Sequence, residues 1–228
     1  NRFAGVVTGA LVTAIVQSSS LTTVLVVGFI TAGLMTLQQS VGVIFGANIG
    51  TPLMVQIAAF QVTQSAWLLV ALGFGAYVFG RRDLARQLGS MLFGLGLLFL
   101  ALEQMSAATN PLRDYPPFLR LMERMETPAL GILVGAGFTA LVQSSAATAG
   151  VVLALVSQGT MTLPAALATT LGANLGSCAT AILAGLGKPA EARQAGMVHF
   201  LFNAIGVFLW GFFLPQLASA VEWLSSDL

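Results

Sequence analysis

Charge is what this chain has least of. Asp, Glu, Lys and Arg make up 7% of its 228 residues, against about 25% in soluble domains. Nine basic and eight acidic side chains leave a formal net charge of +1. No basic field exists to suggest a nucleic-acid partner. A single cysteine, Cys178, excludes an internal disulfide, and His199 is the only histidine. Hydrophobic residues make up 57% and the mean hydropathy is +0.89. The apolar runs are about as long as a bilayer crossing. The chain therefore reads as an integral membrane protein whose surroundings are lipid. It opens at Asn1 without a Met, directly into an apolar segment, and reads as an excerpt of a longer protein with flanking helices or a soluble tail outside it. Asn1-Arg2-Phe3 carries no signal-peptide pattern.

Against that background one polar run stands out. Thr13-Ala14-Ile15-Val16-Gln17-Ser18-Ser19-Ser20-Leu21-Thr22-Thr23 puts amide and hydroxyl side chains inside an apolar segment, and Thr139-Ala140-Leu141-Val142-Gln143-Ser144-Ser145-Ala146-Ala147-Thr148 does so again. The offset is 126 residues, and without gaps about 18 of 44 positions match between 9–52 and 135–178. The matches concentrate in Gln-Ser-Ser, in Met-Thr-Leu at 35 and 161, and in Gly46-Ala47-Asn48-Ile49-Gly50 against Gly172-Ala173-Asn174-Leu175-Gly176. A repeated polar interruption of a membrane segment is the best sequence pointer to a transporter binding site.

Residues 4–16 and 20–32 are each apolar for about 13 residues. That is about 20 Å of helix, short of the roughly 30 Å hydrocarbon core. They read as a re-entrant hairpin meeting at Gln17-Ser18-Ser19-Ser20, with Gly33 as a C-cap. Thr36 is the expected N-cap of an apolar run over 36–60. Gly46-Ala47-Asn48-Ile49-Gly50-Thr51-Pro52 should unwind that run, because two glycines and a proline fall within seven residues. Residues 63–80 and 84–105 read as two ordinary spans joined by Arg81-Arg82-Asp83, the second carrying Gly89, Gly94 and Gly96 as packing positions. Residues 107–127 are proline-rich and charged. They read as an extramembrane linker with an interfacial helix at 117–126. A second hairpin follows at 128–143 and 145–157, then a helix over 162–187 interrupted at Gly172-Ala173-Asn174-Leu175-Gly176-Ser177, then a last span at 191–214.

A weaker echo relates Ala85-Arg86-Gln87-Leu88-Gly89 to Ala192-Arg193-Gln194-Ala195-Gly196 at an offset of 107. The first half thus holds one extra helix. A hairpin crosses the membrane zero times, the broken helix once and the two spans twice. The odd total makes the second hairpin enter from the opposite face. The expected fold is an all-α integral membrane protein of two inverted-topology repeats, each with a re-entrant helical hairpin and a broken transmembrane helix. Residues 1–106 form the first repeat, 107–127 the linker and 128–228 the second. Arg2, Arg81, Arg82, Arg86, Lys188 and Arg193 fall on one side, and Arg113, Arg120 and Arg124 on the other. The positive-inside rule makes the first side cytoplasmic, so the first hairpin enters from the cytoplasm of a multi-pass cell membrane protein, in a bacterium the inner membrane.

The doubled Gln-Ser-Ser, each followed by Gly-Ala-Asn-x-Gly, resembles the type II sodium/phosphate cotransporters and their bacterial relatives, and His199-Phe200-Leu201-Phe202-Asn203 resembles that family's last helix. The resemblance covers nearly the whole chain. It implies sodium-driven transport of inorganic phosphate, with phosphate between the two hairpin tips at Gln17, Ser18, Ser19, Ser20, Gln143, Ser144 and Ser145. Two departures are Ala146, in place of a third serine, and Cys178 after Ser177. The chemistry is compatible. Phosphate carries about −1.5 charge at neutral pH, and none of the nine Lys and Arg lies inside a motif. Half-helix N-termini, whose free N–H groups and dipole favour an anion, must then hold it, with serine hydroxyls and glutamine amides as further donors. Sodium ions would balance the remaining charge through hard oxygen ligands, for which Asn48, Thr51, Asn174 and Ser177, with Thr22 and Thr148, are the candidates. No cofactor beyond these coupling ions is expected. A homodimer and a cytosolic regulatory domain outside this stretch are the remaining partners.

Blander readings apply to isolated positions. Serines and threonines such as Thr8, Thr31 or Ser65 back-bond to their own helix, His199 makes a structural hydrogen bond to Asn203, and Glu103 reaches the interface. Ser19 does not read as a catalytic nucleophile: it has no nucleophile elbow and no base in a neighbouring motif, so no enzyme is expected. The competing functions are a sodium-coupled carrier of another small oxyanion or carboxylate, and a non-transporting, phosphate-sensing membrane component.

Overall fold

A computed structural model describes residues 2–51, 66–112 and 114–226. The first hairpin consists of α1 (Arg2–Val16) and α2 (Ser19–Thr31). After α3 (Leu37–Gly50) come α4 (Ala66–Phe79), α5 (Asp83–Thr109), a 3-10 turn at Asn110–Leu112 and the short α6 (Pro116–Arg124). The second hairpin is α7 (Pro128–Val142) and α8 (Ser145–Ser157), followed by α9 (Leu163–Gly185), α10 (Ala190–Phe212) and α11 (Leu214–Ser226). Among the described residues, Asp83–Leu112, Leu163–Gly185 and Ala190–Phe212 are long and apolar enough to cross a membrane.

Both hairpins reverse by the same local device. Gln17 and Gln143 each sit at φ +58°, and each donates its N–H back to Thr13 or Thr139 O at 2.6 Å. Left-handed backbone is costly for a residue with a side chain. It recurs here because it ends one helix and turns the chain within one residue. Ser18 and Ser144 then adopt extended backbone and cap the second arms, accepting from Leu21 N and Ala147 N at 3.1 Å. The arms are 15 and 13 residues long in both hairpins, so neither pair reaches across a bilayer. The open ends repeat as well. Gly33 (φ +70°) and Gly159 (φ +69°) close Schellman turns, with Leu34 N bonded to Phe29 O and Thr160 N to Leu155 O.

The Gly-Ala-Asn-x-Gly segments do not unwind. Residues 46–50 lie inside α3, which begins at a Thr36–Gln39 capping box, and residues 172–177 lie inside the continuous 23-residue α9. Pro52 and the remainder of 52–65 lie outside the described residues, as does Arg113. The glycines serve contact instead. A Cβ on Gly46 would fall under 3.0 Å from Val6 O, and one on Gly50 from Ala10 O. Gly172 meets Ile132 O and Gly176 meets Ala136 O in the same way. The partner helices reciprocate, with Gly9 against Val43 O and Gly135 against Thr169 O. Every one of these contacts recurs at the 126-residue offset. Close backbone approach of this kind is how helices bind each other in lipid. It locks α1 to α3 and α7 to α9.

The long α9 sets the geometry of the rest. Near its C-terminus Ala184 and Lys188 share a crevice with Thr31 and Ala32, the open end of the first hairpin. Near its N-terminus Thr162 shares another with Gly159, Thr160 and Glu126, the open end of the second. The two open ends are therefore a helix length apart, about 35 Å for 23 residues. Between them the first tip is tied to the helix itself: Ser20 Oγ donates to Ser177 O at 3.0 Å. Each second arm packs on the long helix of the other half. Val26, Val27 and Ile30 of α2 bury against Ala192 and Ala195 of α10. Gly150 of α8 faces Leu102 and Met105 of α5, and Gln158 Nε2 donates to Ser106 O at 2.6 Å.

The expected interfacial helix is α6. It turns 113° into α7 and buries Met122 and Met125 under the second hairpin's base, against Val152, Leu155 and Met161. The helix α11 carries no strong signal in the sequence. Among its described side chains, Leu214 and Ala218 are the buried ones.

Replacing Gly46 or Gly172 by Ala should force α1 from α3, or α7 from α9, and destabilise the fold by about 1–3 kcal/mol or more. Gly94 and Gly137, where a Cβ meets nothing within 4 Å, should tolerate Ala or gain up to about 1 kcal/mol. Thermal unfolding in detergent measures this. Equal losses at all four positions would contradict the glycine seam.

Candidate functional site

Each hairpin tip is tied by a small hydroxyl network. Thr22 Oγ1 donates to Ser18 O at 3.0 Å and accepts from Thr13 Oγ1 at 2.9 Å. In the second tip Thr148 Oγ1 donates to Ser144 O at 3.1 Å and lies 2.7 Å from Thr139 Oγ1. A hydroxyl has one proton. That of Thr148 is already committed, so Thr139 is the donor to Thr148, as Thr13 is to Thr22. All four threonines are buried. Thr13 and Thr139 carry no role in the sequence reading, although the same offset relates them. Each binds the end of a first arm to the start of a second.

Between the tips lies a cavity of about 350 Å³. Gln17 reaches it from the first tip, and Ser145 and Ala146 from the second. Asn48 and Thr51 line it from the end of α3, Thr170 and Asn174 from the middle of α9, and Asn203 from α10. None of its described lining residues is charged. The start of α8 brings the first-turn N–H groups of Ser145 and Ala146, which have no helical acceptor, to the cavity wall.

The other expected site residues are placed differently. Ser18 and Ser144 are spent on the caps. Ser19 and Ser20 are buried, and Ser20 is tied to α9. Gln143 is exposed and outside the cavity. Thr22 and Thr148 belong to the tip networks. Ser177 is buried, and its hydroxyl donates to Asn174 O at 2.8 Å. The cavity thus gathers Gln17, Ser145, Asn48, Thr51 and Asn174, with Thr170 and Asn203 as polar members outside the expected ligand set.

The bonds already made decide what remains to offer. Asn48 Nδ2 donates to Ile44 O at 3.1 Å, which leaves its carbonyl Oδ1. Thr51 Oγ1 donates to Ala47 O at 3.1 Å, so its remaining capacity is acceptor lone pairs. Both are hard oxygen donors suited to a cation. The donors there are side-chain oxygens, because residues 46–50 and 172–177 are helical. Gln17 Nε2 donates to Ala14 O, and its Oε1 is buried without a partner. An amide nitrogen carries two protons, so Nε2 keeps a second one to donate. The ring of His199, fully buried, finds no partner at either nitrogen. Asn203 bonds the backbone O of His199 at 2.9 Å rather than the imidazole, and Cys178 Sγ lies 3.7 Å from that same oxygen.

Comparison with known proteins places the chain in a family. Residues 1–107 and 117–224 match the family model described as Na+/Pi-cotransporter. The "Uncharacterized protein YqeW" of Bacillus subtilis (strain 168) is 31% identical over 216 residues, covering 94% of this chain and 70% of that protein. The "Putative inorganic phosphate export protein YjbB" of Escherichia coli (strain K12) is 33% identical over 95% of this chain, which spans only 40% of that relative's length. The human "Sodium-dependent phosphate transport protein 2B" is 42% identical over 102 residues, 42% of this chain and 14% of that protein. No solved structure matches. With residues 1–107 and 117–224 inside the family model, and with similarity to YqeW over 94% of the chain, this protein belongs to the Na+/Pi-cotransporter family.

Proposed function

We propose that this chain carries inorganic phosphate across the membrane together with sodium, by alternating access between two inverted repeats. The observation that carries the reading is the uncharged cavity into which one residue of each tip, Gln17 and Ser145, projects beside the start of α8. An anion there meets N–H groups, amides and hydroxyls but no fixed cation. Sodium at Asn48, Thr51 and Asn174 supplies the countercharge. The names of the relatives point to phosphate, as export for YjbB and as sodium-dependent transport for protein 2B. A coupled carrier is reversible, so the gradients set the direction.

Support for inversion comes from the open ends of the hairpins, which sit at opposite ends of α9. Support for alternation comes from an inequality between equivalent residues: Gln17 lines the cavity while Gln143 is exposed. In the opposite-facing state the two exchange places. A sodium-coupled carrier of another oxyanion or a carboxylate would share this cavity, and competition with those anions separates the readings.

In proteoliposomes with a sodium gradient, the wild-type chain should accumulate phosphate. Gln17→Leu and Ser145→Leu should lower uptake by about tenfold or more, as expected for removing a buried hydrogen-bonding partner of a charged ligand. Ser144→Ala should instead act on stability, by about 1 kcal/mol for a lost N-cap. Full uptake by both Leu variants would remove the cavity from the transport path.

For alternation, Cys178→Ala is the background, and single cysteines replace Ser18 or Ser144. A membrane-impermeant thiol reagent applied from one side should reach one site in sodium-loaded, phosphate-free protein and the other after the gradient is reversed. Labelling of both sites from the same side in every condition would contradict the inverted arrangement.

A further inference from the structure

The cavity is larger and less polar than a five-atom oxyanion requires. Its 350 Å³ falls within the range of about 300–1,000 Å³ seen for pockets that take drug-sized ligands. At roughly 30 Å³ per molecule of liquid water, it has room for about ten waters. A phosphate ion fills a minor part of it.

The excess space has its own chemistry. Asn203, Gly206, Val207 and Trp210 all line the cavity from one face of α10, at the spacing of successive helical turns. The α10 helix runs antiparallel to α9, with Gly196 against Ala181 and Gly185 against Arg193. Asn203 therefore stands level with Asn174, at the polar end. Trp210 stands seven residues further, about 10 Å along the helix, beside the N-terminal half of α9. Leu171 and Ala149 complete this second compartment. Phe202, another lining residue, is held by Phe45 of α3 at a ring separation of 4.4 Å. One end of the cavity is thus amide and hydroxyl, and the other is aliphatic with an indole.

Resting on the reading that the polar end holds a tetrahedral oxyanion, we propose that the cavity also accepts monosubstituted organic phosphonates and phosphate monoesters, with the oxyanion at Gln17 and Ser145 and a flat apolar substituent against Trp210. Inorganic phosphate leaves water standing on the apolar wall. Displacing such poorly held water with an apolar group favours binding, and an aromatic substituent gains further from ring contact with the indole. The competing view gives Trp210 only an anchoring role at the membrane interface, with no selectivity for the substituent.

Phenylphosphonate and methylphosphonate share one head group and differ in the substituent. Each is tested as an inhibitor of phosphate uptake in proteoliposomes, and each is titrated calorimetrically into the purified chain. The phenyl compound should act at about tenfold lower concentration than the methyl compound. That ratio should fall to near one in Trp210→Ala and persist largely in Trp210→Phe. Trp210→Leu, which keeps bulk without the ring, serves if the Ala variant does not fold. Equal potency in the wild type, or a ratio that survives loss of the ring, overturns the proposal and returns Trp210 to the anchoring role. A tryptophan-dependent ratio in calorimetry without any phosphate uptake sustains it while removing the symport reading. Sodium-driven uptake with a ratio of one does the reverse.

Discussion

In a hydrocarbon solvent every backbone polar group must find a partner within the protein, and the two hairpins are built around that constraint. A half-spanning helix that stops near the middle of the membrane exposes free carbonyls at its end, and the next begins with free N–H groups. Here the left-handed Gln17 and Gln143 return their N–H groups to Thr13 and Thr139 O, and Ser18 and Ser144 satisfy the following helix starts. The Thr13–Thr22 and Thr139–Thr148 bonds then hold each pair of arms together. Once these needs are met, few donors remain free, and those at the start of α8 face the cavity. The same economy explains why most Gln-Ser-Ser atoms are structural and only Gln17 and Ser145 reach it.

The halves are alike in construction and unequal in use. Ser20 ties the first tip to Ser177 O of α9, whereas its counterpart is Ala146, which has no hydroxyl and lines the cavity instead. The glycine contacts that lock α1 to α3 and α7 to α9 are identical in both halves. The hairpins cross over to pack on the other half's long helices, α2 on α10 and α8 on α5. Movement of one hairpin relative to α9 thus changes the wall of a cavity shared by both halves. In the proposed cycle, the anion is held without a basic side chain. An isolated ion in a low-dielectric site is prohibitively unfavourable, so the coupling ion is part of the binding site.

Much of this was legible before any coordinates. The hairpins, their turning points, the Thr36 cap, the Gly33 terminus and the short helix after the proline-rich segment follow from apolar run lengths and from residues with one strong local preference. The Gly-Ala-Asn-x-Gly segments were misread for a physical reason. Glycine permits both unwinding and close approach, and a helix read alone does not distinguish them. The deciding signal lies on the partner: Gly9 and Gly135 recur at the same offset as Gly46 and Gly172, as a two-helix seam requires. Which polar residues face the cavity was not legible either. It depends on tertiary placement, which makes Gln17 a lining residue and leaves its equal, Gln143, exposed. Trp210 lies outside every motif, and Asn203, though part of the His199–Asn203 motif, shows no cavity role in a helix without a repeated counterpart.

The central claim is that phosphate is bound by dipoles and hydroxyls whose deficit of positive charge sodium makes up. Linkage then requires each ligand to strengthen the other by the same factor. Equilibrium binding of phosphate to the purified chain, measured in sodium chloride and in choline chloride at equal ionic strength, tests this most directly. The account predicts binding at least about tenfold tighter in sodium, a coupling of about 1.4 kcal/mol, and a sodium affinity raised equally by phosphate. Equal phosphate affinity in the two salts would contradict it.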